Sequence, residues 1–200
     1  MTKKKTGKLF IISGPSGSGK STILREALPR IENAYFSISA TTRAPRPTEE
    51  HGRDYLFIKQ EEFDQIERQG GFLESARYVG NSYGTPVLPI KQRLMEGIDV
   101  ILDIEVQGAR QVKKKMPKAV AIFLFPPSMA VLEERLRARG TDPEEKILQR
   151  LERARKEYAR AAFYDYLVIN DEVERAVEEI CAIITAEGCK LESRRHLIED

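Results

Sequence analysis

The chain has 200 residues, 41% hydrophobic and 32% charged, which suits one ordinary domain with or without a small inserted lobe and is too apolar for a wholly disordered chain. Lys plus Arg number 33 against 31 Asp plus Glu, so the net charge of +2 supplies no global field for non-specific nucleic-acid binding. The chain is too long for a disulfide-stapled miniprotein, and its two cysteines, Cys181 and Cys189, eight apart with no nearby histidine, lack metal-ligand spacing, a structural disulfide being unexpected in a reducing compartment.

The amino terminus carries Lys3 to Lys5, a run read as solvated, and the apolar stretch after it, Leu9 to Ile12, is too short for a signal peptide's hydrophobic region. The longest apolar run, Ala119 to Phe125, falls far short of the ~20 residues of a membrane helix. A cytoplasmic protein with no membrane and no nucleic-acid partner is therefore expected. Oligomeric state is not legible.

Lys8 to Ser13 is short, apolar and β-branched, and predicts a buried strand. It runs into Gly14-Pro15-Ser16-Gly17-Ser18-Gly19-Lys20-Ser21, followed by Thr22 and a helical stretch, Ser21 to Leu28, that Pro29 stops. Gly, four residues, Gly-Lys-Ser between a strand and a helix is the phosphate-binding loop pattern. The glycines let consecutive N–H groups face one concavity, the helix adds its positive dipole end, Lys20 brings a charge to the β and γ phosphates, and the Ser21 hydroxyl can hold Mg²⁺.

From about Phe36 to Gly97 the texture changes. Short strands are expected at Tyr55 to Ile58, Phe72 to Val79 and Ser82 to Tyr83, around an amphipathic helix near Glu61 to Arg68. This segment, 36–97, reads as an inserted antiparallel lobe of mixed α/β content. Within it Arg43 and Arg46 stand three apart in a proline-stiffened stretch, with Tyr55 and Tyr83 further on. Two guanidinium forks and two phenols can grip a second phosphate, although solvated arginines and core tyrosines would look the same by composition.

Apolar runs at Asp99 to Ile104, Ala119 to Phe125 and Tyr166 to Ile169 then alternate with helical patterns at Val106 to Lys115, Ser128 to Arg139 and Val173 to Glu187. The alternation predicts an α/β fold, a parallel sheet flanked by helices, built from residues 1–35, 98–136 and 158–200. Asp103 ends a buried strand, where a carboxylate can sit beside a nucleotide's magnesium. Residues 137–157 look charged nearly all round, contain Gly140 and Pro143, and read as a mobile helical lid. Leu191 to Asp200 reads as a loosely held tail.

A phosphate loop alone does not separate a switch, a motor and a kinase. Taken together, however, the chain from Leu9 to about Ala186 resembles the guanylate kinases among the P-loop nucleoside monophosphate kinases. The resemblance rests on Gly14 to Thr22, Ser39 to Arg46, Gly52 to Phe57, Phe72-Leu73-Glu74, Tyr83-Gly84-Thr85, Leu102 to Gly108, Arg139-Gly140-Thr141 and Val168 to Asp171, in that order and spacing. It implies Mg²⁺-dependent transfer of the γ-phosphoryl group of ATP to GMP. It further implies that Arg43, Arg46, Tyr55 and Tyr83 hold the GMP phosphate, and that Ser39, Glu74, Thr85 and Glu105 address guanine. Asp103 would work between GMP and the metal, Arg135, Arg139 and Arg150 would close over the ATP phosphates, and Asn170 would lie at adenine. The sequence departs from the family where many members carry Asp-Ile-Asp: here Asp103-Ile104-Glu105 is one methylene longer.

Guanine chemistry agrees with these residue types. An ionised Glu74 accepts from the adjacent N1–H and amino group of guanine, whereas the bare N1 of adenine repels it, and hydroxyls at Ser39 and Thr85 can donate to O6. The rivals are a kinase for another monophosphate and a non-catalytic interaction module of the same fold. An intact phosphate loop speaks against the second.

Overall fold

The strand and helix patterns assemble into two sheets in a computed structural model that describes residues 6–78, 80–138, 140 and 142–198. In chain order the elements are β1 (Leu9–Ser13), α1 (Lys20–Ala27), β2 (Ala34–Phe36), β3 (Ala40–Thr41), β4 (Leu56–Phe57), α2 (Gln60–Arg68), β5 (Phe72–Tyr78) and β6 (Asn81–Pro86). They continue with α3 (Val87–Met95), β7 (Asp99–Asp103), α4 (Val106–Lys115), β8 (Val120–Phe125), α5 (Met129–Ala138), α6 (Glu144–Ala159), β9 (Tyr166–Ile169), α7 (Val173–Cys189) and α8 (Leu191–Arg194).

The core sheet is wholly parallel, in the order β2-β7-β1-β8-β9. Its central strands carry apolar side chains on both faces because helices cover both. Phe10, Ile12, Ile101, Ile122 and Leu124 face Ile23, Leu24 and Ala27 of α1 and Ala176, Val177 and Ile180 of α7. The alternate residues Leu9, Ile11, Val100 and Leu102 face Ile90 of α3 and Ala109 and Val112 of α4. Each such side chain, taken fully out of water, contributes roughly 1.5–3 kcal/mol.

A second, four-stranded sheet, β4-β3-β6-β5, occupies residues Ala40 to Pro86 within the segment expected as the lobe. It is antiparallel except for the β3–β4 pair, and its small core packs Phe63 of α2 against Phe72 and Ala40. The lobe is not a free appendage, because Leu73 of β5 is buried with the core residues Ile11, Val100 and Ala109. The helix α3, which the sequence patterns do not predict, packs against β7.

The lid segment requires a correction. It is not charged all round: Ile147, Leu151 and Ala154 form one apolar stripe of α6, buried against Leu132 and Leu136 of α5. The dense charges on the other faces hid this four-residue period. In the carboxy-terminal segment expected to hang loosely, Ser193 Oγ donates to the Glu187 carbonyl and Arg194 Nε to that of Gly188.

Candidate active site

The loop after β1 leaves the sheet where there is no room for a side chain: a Cβ on Gly14 would stand 2.1 Å from the Leu124 carbonyl oxygen of β8. It enters α1 through Gly19, at φ 93° in the left-handed region, with no side chain capping the helix. The Thr22 N–H turns back to the Gly19 carbonyl, and those of Lys20 and Ser21 remain to face an anion. Lys20 folds back over the loop, and its Nζ donates to the Gly14 carbonyl at 2.8 Å.

Three expected donor-side residues converge there. Asn170 is buried beneath the loop and donates from Nδ2 to the Ser18 carbonyl at 2.7 Å, while Arg135 of α5 donates to the Asn170 carbonyl at 2.9 Å. Arg150 of α6 donates to Ser16 Oγ at 3.0 Å and pairs with Asp142 at 3.2 Å. Ser18 Oγ, Asn170 Oδ1 and Arg150 Nε are buried without a hydrogen-bond partner among the described residues. Unsatisfied polar atoms cost about 1–3 kcal/mol each, and their grouping here suits a site built for a polar ligand. Arg139 and Thr141 lie outside the described residues, as do Lys3 to Lys5.

On the other side the second sheet lines up three polar residues from three strands. The β5–β6 register sets Glu74 opposite Thr85, and Ser39 just precedes β3, which pairs with β6. Thr85 Oγ1 donates to Glu74 Oε1 at 2.6 Å, and Ser39 Oγ lies 3.5 Å from Thr85 Oγ1. Glu74 is only 4% exposed. Burial pushes its carboxyl above the usual carboxylate range, the Thr85 bond and Lys115 oppose the shift, and Glu105 adds to it. In this structure the single Thr85 hydroxyl proton goes to Glu74, so Thr85 orients the carboxylate.

Helix α4 backs this row. Gln111 Nε2 donates to the Ser75 carbonyl at 2.8 Å, Lys115 Nζ donates to the Leu73 carbonyl at 2.7 Å, and Gly108 lies directly under the Glu74 carboxylate.

Arg43 is held fork to fork by Glu49, both bonds 2.9 Å, with its guanidinium carbon 5.5 Å from the centre of the Tyr55 ring. Tyr83 meets Tyr55 edge-on. Glu49 also accepts the backbone N–H of Arg46 at 2.8 Å. The Arg43 ion pair holds the Glu49 carboxyl below its ordinary value, against the effect of burial. Asp103 stands beside the phosphate loop because β7 pairs with β1, Ile12 opposite Asp103. Burial raises its carboxyl pKa and Lys20 opposes the rise.

A cleft of about 300 Å³ joins both halves: Lys20 and Asp103 line it together with Ser39, Arg43, Arg46, Tyr55, Tyr83, Glu74 and Glu105. Glu49 and Arg153 are among the lining residues that the sequence did not single out. Glu49 had a local signal, a carboxylate three residues after Arg46. Arg153 had only its spacing from Arg150, one helical turn away. Among the described residues no group of three or more His, Cys, Asp or Glu could hold a metal ion, and no helix is long and apolar enough to cross a membrane.

The guanylate kinase family model matches residues 6–187. A guanylate kinase of Streptococcus thermophilus is 52% identical over 187 residues, 93% of this chain and 90% of that protein. One from Thermus thermophilus is 50% identical over 181 residues, 90% of this chain and 82% of that protein. Among solved structures, that of guanylate kinase from Anaplasma phagocytophilum superposes with a TM-score of 0.78 at 34% identity, covering 98% of this chain and 99% of that one.

Proposed function

The chain belongs to the guanylate kinase family and is a nucleoside monophosphate kinase, and on that premise we propose that it transfers the γ-phosphoryl group of ATP to GMP, giving ADP and GDP, in the cytoplasm. One observation carries the reading. The row of half-buried Ser39 and buried Thr85 and Glu74 opens into the same cleft as Arg43 and Lys20, an arrangement that suits a guanine, its phosphate and the donor loop end to end.

The roles follow from the chemistry. Glu74 accepts from guanine N1–H and the amino group, Ser39 donates to O6, and Glu105 accepts at the amino edge. Arg43, Arg46, Tyr55 and Tyr83 hold the acceptor phosphate. Its second pKa is about 6, so it is largely dianionic at pH 7 and attacks without a general base. That is why the absence of a histidine from the cleft costs nothing. The loop, residues 14–22, and Lys20 hold the ATP phosphates, Arg135, Arg139 and Arg150 close over them, and Asn170, through its buried Oδ1, serves the adenine side. Catalysis is then positioning plus charge stabilisation around an in-line transfer.

The Ser21 hydroxyl and the Asp103 carboxylate are hard oxygen donors at the loop, and they fit Mg²⁺, which takes one or two protein ligands and completes its shell with phosphates and water. Bound there, the ion would neutralise charge on the β and γ phosphates.

The purified protein with ATP should form GDP from GMP far faster than it phosphorylates AMP, UMP or dTMP. Comparable rates with AMP would overturn the base assignment, and no transfer to any acceptor would make the chain a non-catalytic member of the family.

A further inference from the structure

Helix α6 touches both halves of the cleft. Arg150 reaches Ser16 of the donor loop, and Arg153, one turn later on an adjacent part of the same face, forms an ion pair through Nη2 with Glu105 Oε2. Glu105 sits at the N-cap of α4, forty-eight residues away in sequence. Arg153 is itself held: its Nε donates to Glu157 at 2.8 Å, and the Glu157 side chain is only 12% exposed. The result is a relay running from a mostly buried carboxylate through a guanidinium to the carboxylate at the mouth of the acceptor cleft. Arg153 and Glu105 both line that cleft.

As a strut the outer pair would be weak, since both side chains are about half exposed and such pairs add little to stability. As a positioning device it has a clear use. Glu105 has one more rotatable bond than an aspartate, and a free glutamate would lose that freedom on binding. The ion pair uses Oε2, and a carboxylate has a second acceptor oxygen to offer to a ligand. We propose that Arg153 is a positioning residue for base selection: it holds Glu105 ready to accept the exocyclic amino group of guanine, and thereby ties the lid helix that carries Arg150 to recognition of the acceptor base. This rests on the GMP-kinase reading above, and names a specificity residue within it.

Hypoxanthine monophosphate separates the two, because IMP keeps O6 and N1–H and lacks only the amino group that Glu105 would meet. Calorimetric Kd and steady-state KM should be measured for GMP and IMP with wild type, Arg153→Ala, Arg153→Lys, Glu105→Gln and the double variant Arg153→Ala with Glu105→Gln. Arg153→Ala should weaken GMP by about 10-fold or more, up to the ~150-fold of one whole charge-assisted hydrogen bond. IMP and ATP should change by no more than about twofold, within the scatter of independent sites. The lysine variant should recover part of the loss, and the double variant should bind GMP no worse than Glu105→Gln alone, since residues acting as a unit are not additive.

Equal weakening of GMP and IMP would make Arg153 merely structural and overturn the proposal, as would unchanged or tighter GMP binding. If Arg153→Ala fails to fold, the GMP-to-IMP ratio of the lysine variant decides: a ratio equal to that of wild type together with an additive double variant, Arg153→Lys with Glu105→Gln, overturns it. Failure of the underlying reading looks different, because wild type itself would then show no preference for GMP over AMP.

Discussion

At Glu74 a carboxyl group is buried at a cost that the Thr85 hydrogen bond and Lys115 only partly offset, which leaves acceptor capacity for a ligand bearing N–H groups. Glu74→Gln keeps the volume but replaces one acceptor by an NH₂ that faces the guanine N–H groups. Sites that hydrogen-bond a substrate group reject analogues lacking it by up to ~10⁴, so the GMP-over-AMP ratio in kcat/KM should collapse, chiefly through lost GMP activity. An unchanged ratio would remove Glu74 from base recognition. Stability should move the other way. Burial raises the Glu74 carboxyl above its ordinary value, so the ionised form is disfavoured in the fold, and the neutral glutamine should leave Tm at pH 7 equal or higher. Recognition needs the ionised form, which is lost as pH falls through that raised value. The wild-type pH profile for GMP should therefore carry an acid limb that Glu74→Gln lacks, while the limb from the second ionisation of GMP persists in both.

At the scale of elements, the contact of α4 with β5 decides whether the carboxylate is aimed correctly. A Cβ on Gly108 would lie 2.4 Å from Glu74 Oε2, so Gly108→Ala must push the carboxylate off its row. GMP KM should rise at least ~10-fold, with ATP KM little changed, because a misplaced group loses binding and rate together. Equal losses for both substrates would mean that the helix itself had shifted.

Helix α7 is tied to the sheet by another buried carboxylate. Glu187 accepts from Lys8 at 3.0 Å, Tyr166 at 2.7 Å and Lys190 at 2.5 Å. Burial alone would raise its pKa, but Lys190, Tyr166 and Lys8 bring it to about 2. A depressed carboxyl pKa stabilises the fold above the unfolded value near 4.3 and loses that contribution as pH falls toward 2, an effect of about 2–3 kcal/mol. Unfolding in denaturant across pH 7 to 2.5 should show a decline that Glu187→Gln flattens while lowering stability at pH 7. A parallel decline in the variant would place the acid sensitivity elsewhere.

For the molecule as a whole, the two substrate sites are carried by parts with unequal anchoring. Leu73 fixes β5 in the main core, whereas the rim carrying Arg46 and Arg53 is held by local turn hydrogen bonds and ion pairs. The α5–α6 pair has a small core of its own. Binding of a bisubstrate analogue should bring the rim near Gly52 and the lid near Gly140 several ångström closer by distance probes, with a smaller radius of gyration in solution scattering. An unchanged distance would mean that the lid does not move and that water is excluded by other means. With closure, ATP hydrolysis in the absence of GMP stays far slower than transfer.

Local rules were enough for the phosphate loop and the parallel core. A glycine-rich turn between an apolar run and a helix, and apolar runs alternating with helical periods, express constraints that act between near neighbours in the chain. That Ser39, Thr85 and Glu74 stand in one row became visible only through strand register, which also put the Thr85 hydroxyl within reach of the Glu74 carboxylate. The apolar face of α6 was masked by its charges until Leu132 and Leu136 stood opposite it. Glu49 on Arg43, Gly108 under Glu74 and Arg153 on Glu105 are pairings of side chains brought together by the fold. The sequence determined which chemistry this chain carries; tertiary structure decided which partner each charge meets, because an ion pair or a close contact depends on distance in space, and distance between remote segments is set by packing.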